Sequence, residues 1–282
     1  MIEVKDLTFS YQNDGVNQVD HISFSVKAGE TFGFLGPNGA GKSTTQKILI
    51  GLLPIQQGEA MVCDTNVRKY TSSFFNKIGV SFEFPNAYKR LSALENLKYY
   101  ASLFDGPTED PMKLLALVGL EDSANKKVSD FSKGMLQRLT MARSMLNQSE
   151  VWFLDEPLSG LDPQTSLKIK QVIKEEKTKG RTIFLTTHDM NVADELCDRV
   201  AFMNQGKLVA VDTPRNLKLR YGEKIMTIEY LEEGQTKRQV FDLNGQADEI
   251  AAFLNTHQVE TVHSGEATLN DIFIEITGRG LN

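Results

Sequence analysis

The stretch "GETFGFLGPNGAGKST", residues 29–44, narrows the fold more than any other feature of the chain. An apolar run ending at Leu35 enters a glycine-rich loop that fits G-x-x-x-x-G-K-[ST] through Gly36, Gly41, Lys42 and Ser43. A helical pattern follows, and strand, loop and helix in that order make a phosphate cradle. Gly39 and Gly41 let the backbone aim its N–H groups at phosphate oxygens with no Cβ in the way. Lys42 supplies a point charge for the β- and γ-phosphates, and Ser43 an oxygen for Mg2+. Pro37, Asn38, Ala40 and Thr44 complete the Walker A loop. The competing reading is a turn that merely caps a helix; the apolar strand before the loop argues against it.

A second apolar run, "VWFLDEP" at 151–157, reads as a parallel strand buried on both faces and ends in two acids. Asp155 is placed to hold Mg2+ through water. Glu156, one residue on, faces the γ-phosphate as general base for the attacking water. "RTIFLTTH" predicts the next buried strand, and "NKIGVSFEF" another. Near the start, Leu7, Phe9 and Tyr11 alternate with polar residues, as do Ile22, Phe24 and Val26, which predicts half-buried strands. From about Ser92 to Gln148 the pattern turns helical. Ser92 and Glu95 form a capping box, and Leu94, Leu97, Ala101 and Phe104 share a helical face. A helix over Gln164–Lys179 stops at Gly180, and "RVAFMNQGKLVAVD" predicts two strands about an Asn-Gln-Gly turn. Beyond Tyr221 the text predicts a hairpin bending at Glu-Glu-Gly, a helix, a strand and a last short helix in "TLNDIFIEITGRG".

Composition bounds the function classes. With 31 Lys and Arg against 37 Asp and Glu, the formal charge of −6 argues against a general nucleic-acid binder. No apolar run approaches the ~18 residues of a membrane span, and "MIEVKDLTFS" lacks a secretory pattern. Cys63 and Cys197 form no metal-spaced pair and read as buried structural thiols. The expectation is a cytoplasmic protein that reaches a membrane only through a partner.

One feature is left over. "FSKGM", at 131–135, starts a second helix with Ser132 and Gly134 where an anion would sit, since the first N–H groups of a helix lack partners. Taken with "GPNGAGKST", "VWFLDEP", "LSGLDP" and "TTHD" in that order, the chain resembles the nucleotide-binding subunit of ATP-binding cassette (ABC) transporters. Its variants are most similar to the ATPases of bacterial drug, antibiotic and polysaccharide exporters. The resemblance covers about Met1 to Tyr221. It implies an α/β P-loop NTPase core with an N-terminal antiparallel β subdomain and a helical signature subdomain over about 90–148, followed by a small C-terminal α+β domain over 222–282. It implies ATP and Mg2+ as cofactors, and two cassettes, alike or different, closing head to tail around two ATP molecules. The residues Ser132, Lys133, Gly134 and Met135 of one chain would complete the site of the other. Asp162 would contact the partner's cradle, His188 would sense the γ-phosphate, and Glu83 would stand where the family has a Gln that meets Mg2+. Tyr11 is either the aromatic that stacks on adenine or a core residue sharing a face with Leu7 and Phe9. Lys133, which replaces a Gly, either adds charge at the partner's γ-phosphate or points to solvent.

Phe82, Phe84, Tyr88, Tyr99, Tyr100 and Phe104 crowd one segment. Tyr100 and Phe104 fall on or beside the apolar helical face; Tyr99 and the loop from Phe84 to Leu91 are expected at the surface. The resemblance implies that this region receives a cytoplasmic helix of an integral membrane permease, placing the chain on the inner face of the cell membrane. A soluble cassette ATPase of translation or repair is the rival reading, disfavoured by the acidic charge, the single set of motifs and the lack of a heptad insertion. A low-turnover, ATP-dependent dimerisation module is another, kept open by Glu83 and the altered signature. Direction of transport is not carried by the cassette residues.

Overall fold

A computed structural model describes residues 1–12, 16–222, 224–265 and 267–278. It divides into two compact units, one from Met1 to Asp212 and one from Thr213 on. The division falls before the expected boundary at Tyr221, because helix α7 (Pro214–Tyr221) packs with helix α9 (Leu269–Thr277) of the smaller unit. Residues 279–282, the end of the expected accessory domain and of "TLNDIFIEITGRG", lie outside the described residues.

The larger unit is built on two sheets. Strands β1 (Ile2–Phe9), β2 (Val19–Val26), β4 (Gln57–Val62) and β5 (Thr65–Asn66) form an antiparallel sheet in the order β2-β1-β4-β5. The expected alternation holds along β2, where Val19, Ile22, Phe24 and Val26 are buried. In β1 it is broken between Val4 and Leu7, and Leu7, Thr8 and Phe9 are all buried; Tyr11 lies past the strand end and is 54% exposed, which removes it from the core.

The second sheet runs β10 (Lys207–Asp212), β9 (Arg199–Asn204), β3 (Thr31–Leu35), β8 (Thr182–Thr187), β7 (Val151–Asp155), β6 (Ile78–Ser81). From β9 to β6 every pairing is parallel. β10 is antiparallel to β9 through a turn at Gln205 and Gly206, both with positive φ, the backbone that a tight hairpin needs. Every residue of β3, β7 and β8 is buried, as a sheet covered on both faces requires. Phe184 stands at the centre of the packing, with ring centroids 5.4 Å from Phe34, 5.5 Å from Phe153 and 6.1 Å from Phe24.

Helix α1 (Lys42–Leu49) follows β3, α5 (Pro163–Thr178) follows β7, and α6 (Met190–Leu196) follows β8. Between β6 and β7 lie α2 (Ala93–Ala101), α3 (Pro111–Leu117) and α4 (Lys133–Ser144), the helical segment read from the sequence. The Ser92–Glu95 capping box is present at α2. The helix ends at Ala101, ahead of Gly106 and Pro107, so Phe104 is not on its face. The residues buried within α2 are Ala93, Asn96 and Leu97. Cys63 and Cys197 are both buried, and burial pushes the Cys63 thiol up to about 11.

In the smaller unit β11 (Ile225–Glu232) pairs with β12 (Gln235–Asp242) and β13 (Gln258–Ser264), both antiparallel. Helix α8 (Ala247–Thr256) packs Ile250 and Phe253 with Ile228 and Phe241 of the sheet. Glu233 and Gly234, both at positive φ, make the expected bend.

Candidate functional site

Parallel strands in register bring chemistry to one end of the sheet. Leu35 of β3 pairs with Thr187 of β8, and Asp155 of β7 pairs with Thr186. The loop that starts at Gly36, the acids at 155 and 156, and His188 therefore emerge together at the carboxyl ends of three adjacent strands, where ligands of open α/β sheets bind.

The loop is held by close backbone approaches. Gly36 has φ +154, and a Cβ there would sit 2.1 Å from the Met203 carbonyl oxygen. Gly41, at φ +110, caps α1, and its Cβ would sit 2.2 Å from the Gln18 oxygen. Gly39 has φ +80 with nothing within 4 Å of a Cβ, so conformation alone calls for glycine there. Ala40 is tied at both ends: its N–H donates to Pro37 O at 3.2 Å and its carbonyl accepts from Gly206 N at 3.0 Å.

Lys42 is buried, and its Nζ donates to the carbonyls of Gly36 at 2.7 Å and Pro37 at 3.1 Å. Burial holds this ammonium below its usual pKa, against the opposing pull of Glu156, Asp155 and Glu83. Ser43 Oγ donates to Asp155 Oδ1 at 3.1 Å, and Thr186 Oγ1 donates to the same oxygen. Glu156 is buried with φ +47, a backbone that costs a non-glycine residue about 1–3 kcal/mol. Its two carboxylate oxygens are separately engaged. Oε2 accepts from Thr187 Oγ1 at 3.1 Å, and Oε1 lies 2.8 Å from His188 Nδ1.

Gly39, Gly41, Lys42, Ser43 and Glu156 line a cleft of about 270 Å3 with Tyr11, Gln18, Asn38, Thr44 and Glu83, while Asp155 and His188 reach it through Ser43 and Glu156. The Tyr11 hydroxyl is 3.3 Å from Thr44 Oγ1, and its backbone N–H donates to Gln18 Oε1 at 3.1 Å, so the ring is fixed at the rim of the cleft. Gln18 was not read from the sequence; neither were Thr186 and Thr187. The signal for the threonines was there in "TTH": two hydroxyls at the polar end of an otherwise apolar strand, where one can donate to the last residue of β7 and the other to the acid just after it.

The residues Ser132–Met135 and Asp162 do not line this cleft. Ser132 is the N-cap of α4, its Oγ accepting from Met135 N at 3.3 Å. Gly134 has room within the chain, since a Cβ would meet Leu161 no closer than 3.6 Å. Lys133 lies over the Gly160 turn, its Cε 3.1 Å from where a Gly160 Cβ would be. It is exposed and does not line this chain's cleft. Asp162 caps α5 by accepting from Thr165 N at 2.9 Å and Thr165 Oγ1 at 2.6 Å, which holds its carboxyl below the usual range.

Aromatic residues collect in a second region. Phe84 is 79% exposed, while Tyr88 and Tyr99 are exposed and meet edge to face at 5.0 Å. Beside them is a groove of about 340 Å3 lined by Phe75, Phe82, Tyr100, Phe104 and Arg143. The loop at its edge is anchored: Asn96 accepts from Tyr88 N at 2.8 Å and donates to Tyr88 O at 3.0 Å. Arg143 donates to Asn86 O at 2.8 Å and lies 4.7 Å from the centroid of Tyr100.

Comparison with known proteins agrees with this arrangement. The ABC transporter family model matches residues 19–159. A fluoroquinolones export ATP-binding protein of Mycobacterium tuberculosis is 51% identical over 284 residues, covering 100% of this chain and 94% of the relative. The Nod factor export ATP-binding protein I of Neorhizobium galegae is 32% identical, covering 99% of this chain and 85% of its own length. Among solved structures, a dimeric ATP-binding cassette in a post-hydrolysis state with ADP and Pi superposes with a TM-score of 0.69 at 27% identity, over 76% of this chain and 98% of that one. An ATP-binding subunit of an ABC transporter gives a TM-score of 0.72 at 28% identity, over 78% of this chain and 93% of that one.

The two loop glycines should separate in binding assays. Gly41→Ala, which drives a Cβ into the Gln18 carbonyl, should weaken binding of a fluorescent ATP analogue by about tenfold or more, some 1.4 kcal/mol. Gly39→Ala should cost less, because only backbone strain opposes it.

Proposed function

The chain belongs to the ABC transporter family, and on that premise we propose that it is the ATP-hydrolysing subunit of a membrane exporter, working as one of a head-to-tail pair of cassettes. The observation that carries this reading is the meeting of Lys42, Ser43 and Glu156 in one cleft, with Asp155 bonded to Ser43 and His188 to Glu156, at the carboxyl ends of β3, β7 and β8. The relative from Mycobacterium tuberculosis makes fluoroquinolones the first cargo to assay.

In this reading Tyr11 supports the adenine and the loop from Gly36 to Thr44 wraps the phosphates. Lys42 exchanges its two carbonyl partners for phosphate oxygens. Ser43, Asp155 and Glu83 are oxygen donors of the kind that Mg2+ selects. Among the described residues no group of three or more His, Cys, Asp or Glu is spaced to hold a metal unaided, so the ion would also need phosphate and water oxygens. Mg2+, when bound, neutralises charge on the phosphate oxygens.

Glu156 is the general base. Thr187 and His188 fix its two oxygens, so the carboxylate is aimed before water arrives. A carboxylate can only accept, so His188 carries its proton on Nδ1.

The second anion site has no use within one chain. The α4 N-terminus at Ser132, with the N–H groups of Lys133 and Gly134 unpaired by the helix, suits the γ-phosphate of a nucleotide held by another cassette. Asp162 faces the same partner. Closure of two chains on two ATP molecules and reopening after hydrolysis would drive the permease. The exposed Phe84, Tyr88 and Tyr99 and the adjoining groove are the docking surface for a cytoplasmic helix of that permease. Among the described residues no helix is long and apolar enough to cross a membrane. We place the chain on the inner face of the membrane through that docking.

Glu156→Gln should retain ATP binding and lose about 10²-fold or more of turnover, accumulating as an ATP-bound dimer on size exclusion; near-normal steady-state turnover would remove Glu156 as base. Thr187→Val should lower kcat with little change in ATP affinity, and Thr187→Ser should restore it. Joint substitution of Tyr88 and Tyr99 by Glu should abolish co-purification with the permease while ATP binding persists. Unchanged assembly would refute the docking surface alone.

A further inference from the structure

A second and larger cavity, about 720 Å3 against about 270 Å3 for the nucleotide cleft, opens at the amino-terminal ends of β7 and β8, the other end of the sheet. Its size is that of pockets that take drug-sized ligands. The walls are largely apolar, with Leu114 and Leu117 from α3, Met145 after α4, and Val151. Arg181 enters between α5 and β8. Its side chain is 10% exposed, and its guanidinium lies 5.6 Å from the ring centroid of Trp152.

One nitrogen of the guanidinium has an ion pair but no hydrogen bond. Nη1 is fully buried and 3.0 Å from Glu176 Oε2, yet this contact lacks the alignment of a hydrogen bond. The other Glu176 oxygen is occupied by Lys179 at 2.7 Å. A buried donor left in that condition is costly unless an acceptor arrives. Burial also holds Arg181 below its usual pKa, the mark of a cation poorly solvated. Around the rim Lys113 and Lys179 stand with Glu109 and Glu150. Those charges balance, so the cavity offers no field for a polyanion such as a nucleotide; one acceptor group and an apolar body fit it better.

We propose that this cavity binds an amphipathic aromatic anion, its rings against Leu114, Leu117 and Met145 and its single carboxylate or sulfonate on Arg181. The site is separate from the nucleotide cleft and does not depend on the transport reading. It joins α3 of the helical segment to the C-terminal end of α5, so a bound ligand would brace the two.

The test uses the full chain and anilinonaphthalene sulfonate. Trp152 is the single tryptophan, fully buried and beneath Arg181, so its emission should be quenched by energy transfer as the dye binds. Titration should saturate at one dye per chain, and excess Mg-ATP should not displace it. By calorimetry, Arg181→Gln should weaken binding about tenfold, the worth of one hydrogen bond to a charged group. Leu117→Trp, which fills the apolar wall, should weaken it at least as much. Both variants should bind ATP normally; if Arg181→Gln does not fold, Leu117→Trp decides alone. Non-saturable binding, displacement by ATP, or affinity unchanged in the folded variants would overturn the proposal.

Discussion

Lys42 sets the terms on which the nucleotide site exists. It is buried, and burial disfavours its charge, yet Asp155, Glu156 and Glu83 surround it and favour it. One ammonium therefore answers three carboxylates before any phosphate arrives. Its present donations to the Gly36 and Pro37 carbonyls keep it solvated by the loop itself. A triphosphate brings several more negative charges into the same cleft, and a single lysine does not offset them. The loop N–H groups and the N-terminus of α1 offset part of that charge, and a divalent cation would offset more. The α4 N-terminus is a further positive dipole, and it lies off the cleft of its own chain. In the proposed pair of cassettes it would add to the positive field on the partner's nucleotide.

The same account explains why Glu156 tolerates an unfavourable backbone. At φ +47 it sits where β7 ends and the chain turns toward Asp162. The turn sends Asp155 toward Ser43 and Glu156 toward Thr187 and His188, giving two adjacent acids different surroundings. Two carboxylates on one extended strand end would point to opposite faces; the left-handed residue lets both serve one cleft. The exposed aromatic region shows a related economy. Asn96 and Arg143 hold the loop after Glu83 from two helices, tying Tyr88 to α2 and Asn86 to α4.

Much of this was legible in the sequence. Continuous apolar runs identify strands buried on both faces, and β3, β7 and β8 are such strands. The cradle and the two acids follow from residue type and position at the strand ends. What depends on tertiary approach was not legible. Tyr11 continues an alternating pattern on paper, but β1 has ended, and its place at the cleft comes from contact with Gln18 and Thr44 across the fold. The face drawn from Leu94 to Phe104 assumed a longer helix than the Gly-Pro turn permits. The boundary at Tyr221 missed that α7 packs with α9, an element about fifty residues later. Thr187 and Arg181 carry no motif; their significance is set by what stands opposite them on a neighbouring strand or helix.

The central claim, that the cradle of one chain is closed by the α4 N-terminus of another, is tested most directly by cross-linking. Asn38 and Ser132 are both exposed, and the native Cys63 and Cys197 are buried, so new thiols can be read without interference. Chains carrying Asn38→Cys are mixed with chains carrying Ser132→Cys and oxidised with and without a non-hydrolysable ATP analogue. The account predicts a disulfide between the two chains that forms only with the nucleotide. Absence of that product with nucleotide bound, or a bridge formed inside a doubly substituted monomer, would contradict it.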